Sequence, residues 1–399
     1  MNVECGTLAS YFTGIVYKRL SAVECNPRKS NQHEFNATVA FLEVFGKPDE
    51  AARITTSFVY ISDEEVLRQD GVLTVYDARK EHPTRTEYRA YFQSNLVTDM
   101  MREGDCVIFA KRPDQTALIL VAQNNSEVLG DLLWLFGLST AGTAFSSDTD
   151  MEKRRIPRSV SCLLDLIGIK LPQSENELED MLEKFNGDFP KTQEFSEYAR
   201  QRSNYIHALD GASPDDVILD WYSMEEHLYS VLERHIINQQ IKDGVINADS
   251  FAEYAKRVLN RRKSRAGQAL ENHLEQMFKD YGIKYSRTPI TEGRSKPDFI
   301  FPSIADYRTP SFPETSLHML GVKTTCKDRW RQVLVEAERI RHKHLFTLER
   351  SISEAQTDEM KAHNLTLVVP TELCATYTSQ QQAWLLNVEG FLKELRKCQ

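Results

Sequence analysis

Toward the N-terminus, apolar residues come in short alternating runs at residues 38–44, 54–61, 89–92, 105–110 and 117–122. A period of two predicts strands with one buried face, and several short strands joined by turns predict a barrel or sandwich. Residues 127–138 switch to an apolar helical pattern. Residues 139–150 are small and polar with no period, which marks a linker by composition.

From residue 172 onward the spacing becomes helical. Short acidic helices are expected at 177–185 and 193–202. A longer one starts at Pro214, with Val217, Ile218, Trp221, Met224, Leu228 and Leu232 on its apolar positions. Trp221 and Tyr222 read most simply as aromatics of a core or an interface. The helical pattern at 251–259 runs into a basic cluster, and then into a helix whose apolar face is Leu270, Leu274, Met277 and Phe278. Beyond it, strands are expected from Ile283, at 298–301, at 317–322, at 344–348 and at 365–369. Helices are expected through Val333, Leu334, Ala337 and Ile340, at 351–363, and at 380–397. Such alternation predicts a mixed sheet covered by helices. The expected fold class is therefore multidomain α+β: a mostly-β domain over residues 1–138, a linker over 139–171, and an α/β domain over 172–399 that begins with helices.

Three residues of the C-terminal pattern carry a chemical logic. Asp298 follows Pro297 at the start of one strand, Lys323 ends the next, and the following helix brings Glu336, so the three converge on one edge of a small sheet. Hydrolysis of a phosphodiester needs carboxylates that hold a divalent cation, and a cation beside the scissile phosphate. Hard oxygen ligands favour magnesium, with manganese able to substitute. On spacing alone, a purely structural reading of the three fits as well.

The surrounding residues sharpen this. Asn-Arg-Arg-Lys-Ser-Arg-Ala-Gly at 260–267, Lys-Thr-Thr-Cys-Lys-Asp-Arg-Trp-Arg-Gln at 323–332 and His-Leu-Phe-Thr-Leu at 344–348 together resemble the catalytic domain of EcoRII-type restriction endonucleases. Those enzymes are PD-(D/E)XK nucleases in which the second acid has migrated to the next helix, as Lys-x12-Glu. Twelve residues separate Lys323 from Glu336 here.

The resemblance implies a site-specific type II endonuclease with Asp298, Lys323, Glu336 and Tyr307 at the reaction centre. It also implies a metal held by Asp298 and Glu336, with Glu271 as an extra acid from the preceding helix. Lys327, Asp328, Arg329 and Arg331 are then the readers of a CC/GG half-site in a CCWGG-like target. Arg to guanine and Asp to cytosine discriminate by roughly 1–3 kcal/mol per good pair. Arg261, Arg262, Lys263 and Arg265 are expected on DNA phosphates at the start of the 266–278 helix. A palindromic target cut on both strands implies a homodimer.

Two N-terminal segments, 17–34 and 79–89, resemble the effector domain of the same enzymes, a DNA-binding pseudobarrel. They place His33, Arg79, Arg85, Glu87 and Arg89 on a second, activating copy of the site, the type IIE arrangement; elsewhere the N-terminal part diverges. Two other readings stay open: a DNA-binding regulator with an inactive nuclease domain, and a modification-sensing nuclease of the same fold.

Composition alters the picture little. A net charge of −9 disfavours indiscriminate DNA binding and fits a local basic cleft. Seven scattered cysteines without paired spacing suggest neither a disulfide framework nor a zinc site. With no signal-peptide pattern and no membrane-length apolar stretch, a cytoplasmic location without membrane partners is expected.

Overall fold

The computed structural model describes residues 7–25, 34–63, 65–138, 142–151, 164, 167, 175–211, 213–244, 251–326, 329–350 and 352–399. The chain divides between Pro172 and Gln173 into two compact units.

In the first unit one mixed sheet runs in the order β2 (Glu34–Asn36), β5 (Tyr88–Phe92), β4 (Val66–Asp77), β3 (Ala52–Ile61), β7 (Ala117–Ala122), β6 (Cys106–Lys111), β1 (Gly14–Arg19) and β8 (Ser146–Asp148). Strands β3 and β7 pair in parallel, and the other neighbours are antiparallel. The central strands are covered on both faces. Ile108, Leu118 and Leu120 enter one core with the Glu127–Phe136 helix, while Val107, Phe109, Ile119 and Val121 enter the other. Phe35 on β2 meets Phe145, next to β8, with ring centroids 6.0 Å apart. The sheet therefore curls until its two edge strands share a core.

Three expectations change here. Residues 38–44, expected as a strand, lie largely in the helix Val39–Phe45. The run satisfies both periods, but Phe41, Val44 and Phe45 are the buried set and the Phe41 and Phe45 rings stack at 4.7 Å, which only helical spacing allows. Strand β4 escapes the sequence pattern because its first half alternates exposed and half-buried positions with few apolar residues. Ser146–Asp148 falls within the expected linker yet pairs with β1.

The second unit holds a sheet ordered β13 (Leu365–Val368), β12 (Lys343–Thr347), β11 (His318–Lys323), β10 (Phe299–Phe301) and β9 (Ser286–Arg287). Strands β11, β12 and β13 are parallel; β9, β10 and β11 are antiparallel. Leu270, Leu274, Met277 and Phe278 form the expected apolar face and pack on Phe299, Leu320, Val322 and Phe346. Their helix is one continuous element, Phe251–Asp280, so residues 261–265 lie in its interior rather than at a helix start. Trp221 is fully buried in the same core.

At the C-terminus the expected helix 380–397 is interrupted. Leu386 bonds back to Leu367 and bridges Val368, and Asn387 then caps a new helix, Val388–Lys397. No helix among the described residues is long and apolar enough to cross a membrane.

Asp215 ties these parts of the second unit together. It sits in the first turn of the Pro214–Lys242 helix, 1% exposed, and its carboxylate accepts from the amides of Thr371 (2.9 Å), Val388 (3.0 Å) and Glu389 (3.1 Å). Replacing it strands three amide donors at once. Asp215→Ala is expected to lower unfolding stability by at least about 3 kcal/mol in a denaturant titration, whereas a loss under about 1 kcal/mol would mean that this carboxylate holds little.

Candidate active site

Asp298 precedes β10 directly, and its backbone carbonyl takes the Thr288 amide at 2.9 Å, which seats the turn on β9. Its side chain points to the antiparallel neighbour. Oδ2 accepts the Val322 amide at 2.6 Å and the Lys323 ammonium at 3.0 Å. Both donors fall on one oxygen, which leaves Oδ1 for another partner. Lys323 is thereby held at the last position of β11, with only 19% of its side chain exposed.

Glu336 reaches the same place by a route the sequence did not suggest. The helix after β11 is only Trp330–Leu334, and Glu336 stands in the turn that follows, beside Ala337 at φ +47°. Val333, Ala337 and Ile340 are buried as the helical spacing expected. The segment between them turns because it is tied off from outside. The Arg339 amide donates to the Tyr307 hydroxyl at 3.3 Å, and the Arg339 guanidinium donates to the carbonyls of Tyr307 and Thr309, among others.

Electrostatics join Glu336 to the Asp298–Lys323 pair. Burial, and then the Asp298 charge, push the Glu336 carboxyl up from 4.5 to about 7, against the pull of Lys323 and Lys343. Its Oε2 is buried without a hydrogen-bond partner among the described residues. Glu271, on the Phe251–Asp280 helix, is raised by burial and then by Asp298. Arg287 offsets this from 3.1 Å and Lys323 from farther off. Asp298, Lys323, Glu336 and Glu271 therefore share one field.

The donor set suits a hard divalent cation. No group of three or more His, Cys, Asp or Glu among the described residues is poised to hold an ion alone. Magnesium rarely needs such a cage, since it keeps several waters and takes one or two carboxylates plus substrate phosphate. Asp298 Oδ1 and the orphaned Glu336 oxygen fit that description.

Other expected residues are placed differently. Tyr307 is buried with its hydroxyl on Glu292 at 2.6 Å, and it makes no hydrogen bond to Asp298, Lys323 or Glu336 among the described residues. Of the expected base readers, Lys327 and Asp328 lie outside the described residues. Arg329 is exposed, and Arg331 is exposed with its guanidinium on both Glu359 oxygens at 3.0 and 2.9 Å.

In the basic cluster at 261–265, Arg265 is turned inward while Arg261, Arg262 and Lys263 are exposed. Arg265 is 7% exposed, paired with Glu225 at 3.3 Å and with Glu226, and lies over the Tyr229 ring. Arg262 donates to Glu233 at 2.6 Å, and Arg261 sits 4.1 Å over the Phe189 ring. The expected phosphate contact is corrected for Arg265, since its burial closes it to DNA; Arg261 and Arg262 are exposed beside their partners. Lys263 is exposed.

In the first unit His33 lies outside the described residues and Arg85 is exposed. Glu87 accepts from Arg79 at 2.5 Å and from Arg89, which also approaches Glu34 at 3.8 Å. The acid expected on the second copy of the site is thus engaged by two arginines.

Sequence reasoning missed Arg287, Arg339 and Lys343. A single basic residue in or beside a short strand carries no pattern that marks it out.

A lysine and clustered carboxylates thus stand on the edge of a mixed, helix-covered sheet. Residues 229–392 match the family model described as EcoRII C terminal. The type II restriction enzyme EcoRII of Escherichia coli is 43% identical over 209 residues, which are 52% of this chain and 50% of that protein. The chain thus aligns with about half the length of that relative. Among solved structures, metal-depleted Ecl18kI in complex with uncleaved, modified DNA aligns with TM-score 0.46 and 19% identity, over 57% of this chain and 85% of that one. A restriction endonuclease PspGI–substrate DNA complex aligns with TM-score 0.39 and 14% identity, over 57% and 93%. Both structural likenesses are loose.

The raised Glu336 has a consequence for stability. The folded protein keeps this proton to a higher pH than the unfolded chain does, so its contribution is full below about 4.5 and is lost as pH rises through about 7. In metal-free thermal melts, Glu336→Gln is expected to match the wild type at pH 5 and to melt higher at pH 8. Equal melting at both pH values would show that the carboxyl is not strained.

Proposed function

We propose that this chain is a type II restriction endonuclease that hydrolyses both strands of duplex DNA at a CCWGG-like site with magnesium. The observation that carries the reading is the Lys323–Asp298 contact beside the unpartnered Glu336 carboxylate, within the region that matches the EcoRII C-terminal family.

In this reading Asp298 and Glu336 would hold the cation, with Glu271 as an added acid. A bound magnesium ion supplies Lewis acidity at the phosphate and lowers the pKa of water. Lys323, fixed by Asp298, sets a positive charge beside the scissile phosphate, where charge grows as water attacks. The new bond joins the water oxygen to phosphorus while the water gives up a proton to solvent, the bond to one sugar oxygen breaks, and that oxygen takes a proton from solvent. Tyr307 supports the turn that bears Glu336 rather than touching the phosphate.

Segment 327–331 reads the bases. Arg329 and Arg331 are exposed next to Lys323, so base contacts and catalysis share one short stretch. Arg331 exchanges Glu359 for DNA on binding. Such an exposed pair is worth only about 0–1 kcal/mol, so release is easy. Two chains act as a homodimer, one per half-site. The first unit is an effector pseudobarrel that binds a second copy of the site, with the Arg79–Glu87–Arg89 network on its DNA face. The enzyme works in the cytoplasm.

Digestion of a plasmid with several CCWGG sites tests this. Wild type with magnesium is expected to yield discrete fragments, and Lys323→Ala to lose at least about a hundredfold in rate while still shifting the DNA in a gel. Shifts without cuts by either protein would instead support a DNA-binding regulator. Cutting only of methylated plasmid would support a modification-sensing nuclease.

A further inference from the structure

Lys343 opens β12 and is 7% exposed, an unusual place for a lysine. Its ammonium donates to the Leu334 carbonyl at 3.0 Å, the last residue of the short helix and two positions before Glu336. An ammonium has three donors, and that carbonyl takes one. The carboxylates of Glu336, Glu338 and Glu292 lie close enough to act on its charge. A buried cation is costly unless it is used, and the unpartnered buried oxygen of Glu336 is the complementary need.

The turn that bears Glu336 is held from two sides. On one side Glu292 takes the Tyr307 hydroxyl at 2.6 Å, Tyr307 takes the Arg339 amide, and the Arg339 guanidinium gathers carbonyls from the 306–312 segment. On the other side stands Lys343. Without it, Leu334 would lose its side-chain donor among the described residues, and of the two anchors of the turn Arg339 would remain.

We propose that Lys343 is a positioning residue: by tying the Leu334 carbonyl and facing Glu336 with a positive charge, it sets where that carboxylate stands on the sheet edge. This rests on the nuclease reading above for its effect on cleavage, but not for its effect on the turn. Lys343 makes no contact with DNA in this account.

Two readouts separate the cases. Hydrogen exchange of the peptide covering residues 330–340, without metal or DNA, is expected to quicken in Lys343→Met and to return to the wild-type rate in Lys343→Arg. Single-turnover cleavage at saturating DNA is expected to fall roughly a hundredfold in Lys343→Met, the penalty for a misplacement of about 1 Å, and to recover in Lys343→Arg. DNA affinity in calcium should stay at the wild-type value, so the loss falls on the chemical step.

Unchanged exchange in Lys343→Met overturns the proposal, as does faster exchange with undiminished cleavage. Equal cleavage losses in the Met and Arg variants overturn it too, because the retained charge would then be irrelevant. If Lys343→Met does not fold, Lys343→Gln takes its place with the same expected outcomes. If the wild type cuts no DNA, the nuclease reading fails, while the exchange data still decide whether Lys343 holds the turn.

Discussion

One carboxylate oxygen, Oδ2 of Asp298, accepts hydrogen bonds from both the Val322 amide and the Lys323 ammonium, and the candidate site depends on that pair of hydrogen bonds. The first contact joins the head of β10 to the antiparallel β11, and the second holds a lysine that solvent would otherwise leave mobile. A charge-assisted hydrogen bond of this kind contributes more than a neutral one. Here it also fixes the distance between the carboxylate and the ammonium of the site. Glu336 and Glu271 then enter a field already set by the pair, and burial leaves them short of solvation.

The helices behind the sheet make that field possible. The Phe251–Asp280 helix packs its apolar face on β10 and β11 and carries Glu271 on the flank beside Arg287. Farther up, Arg265 engages Glu225 and Glu226, and the fully buried His273 lies 2.9 Å from Glu225. Ionic groups buried this deeply are weak evidence for stability. They do fix the register of two long helices, and with it the position of Glu271. A site that must bring carboxylates together is thus supported by a scaffold in which other charges are neutralised in place.

Much of this was legible in the sequence, for identifiable reasons. Apolar runs marked β6, β7 and the end of β3 because both faces of these central strands are buried in separate cores, and β5 because one of its faces is. The helical face Leu270–Leu274–Met277–Phe278 was plain because one side of that helix meets the sheet. Asp298, Lys323 and Glu336 could be singled out because strand ends and spacing place them near one edge. Residues 38–44 misled because Phe41 and Phe45 satisfy two periods at once. The end of the Trp330–Leu334 helix was hidden because the forces that turn the chain come from Tyr307, Arg339 and Lys343, distant or isolated in sequence. Arg265 looked like a phosphate ligand because its partners Glu225 and Glu226 lie on another helix, and no local pattern reveals a pairing across forty residues.

The central claim is that Asp298 and Glu336 together receive the cation that acts on DNA. It is tested most directly by titrating manganese into a complex with a CCWGG duplex, in a Lys323→Met background that cannot cut, and following binding by calorimetry. Manganese is expected to bind in that background and to be lost when Asp298→Asn or Glu336→Gln is added, with DNA affinity kept. Manganese binding that survives both substitutions would contradict the claim.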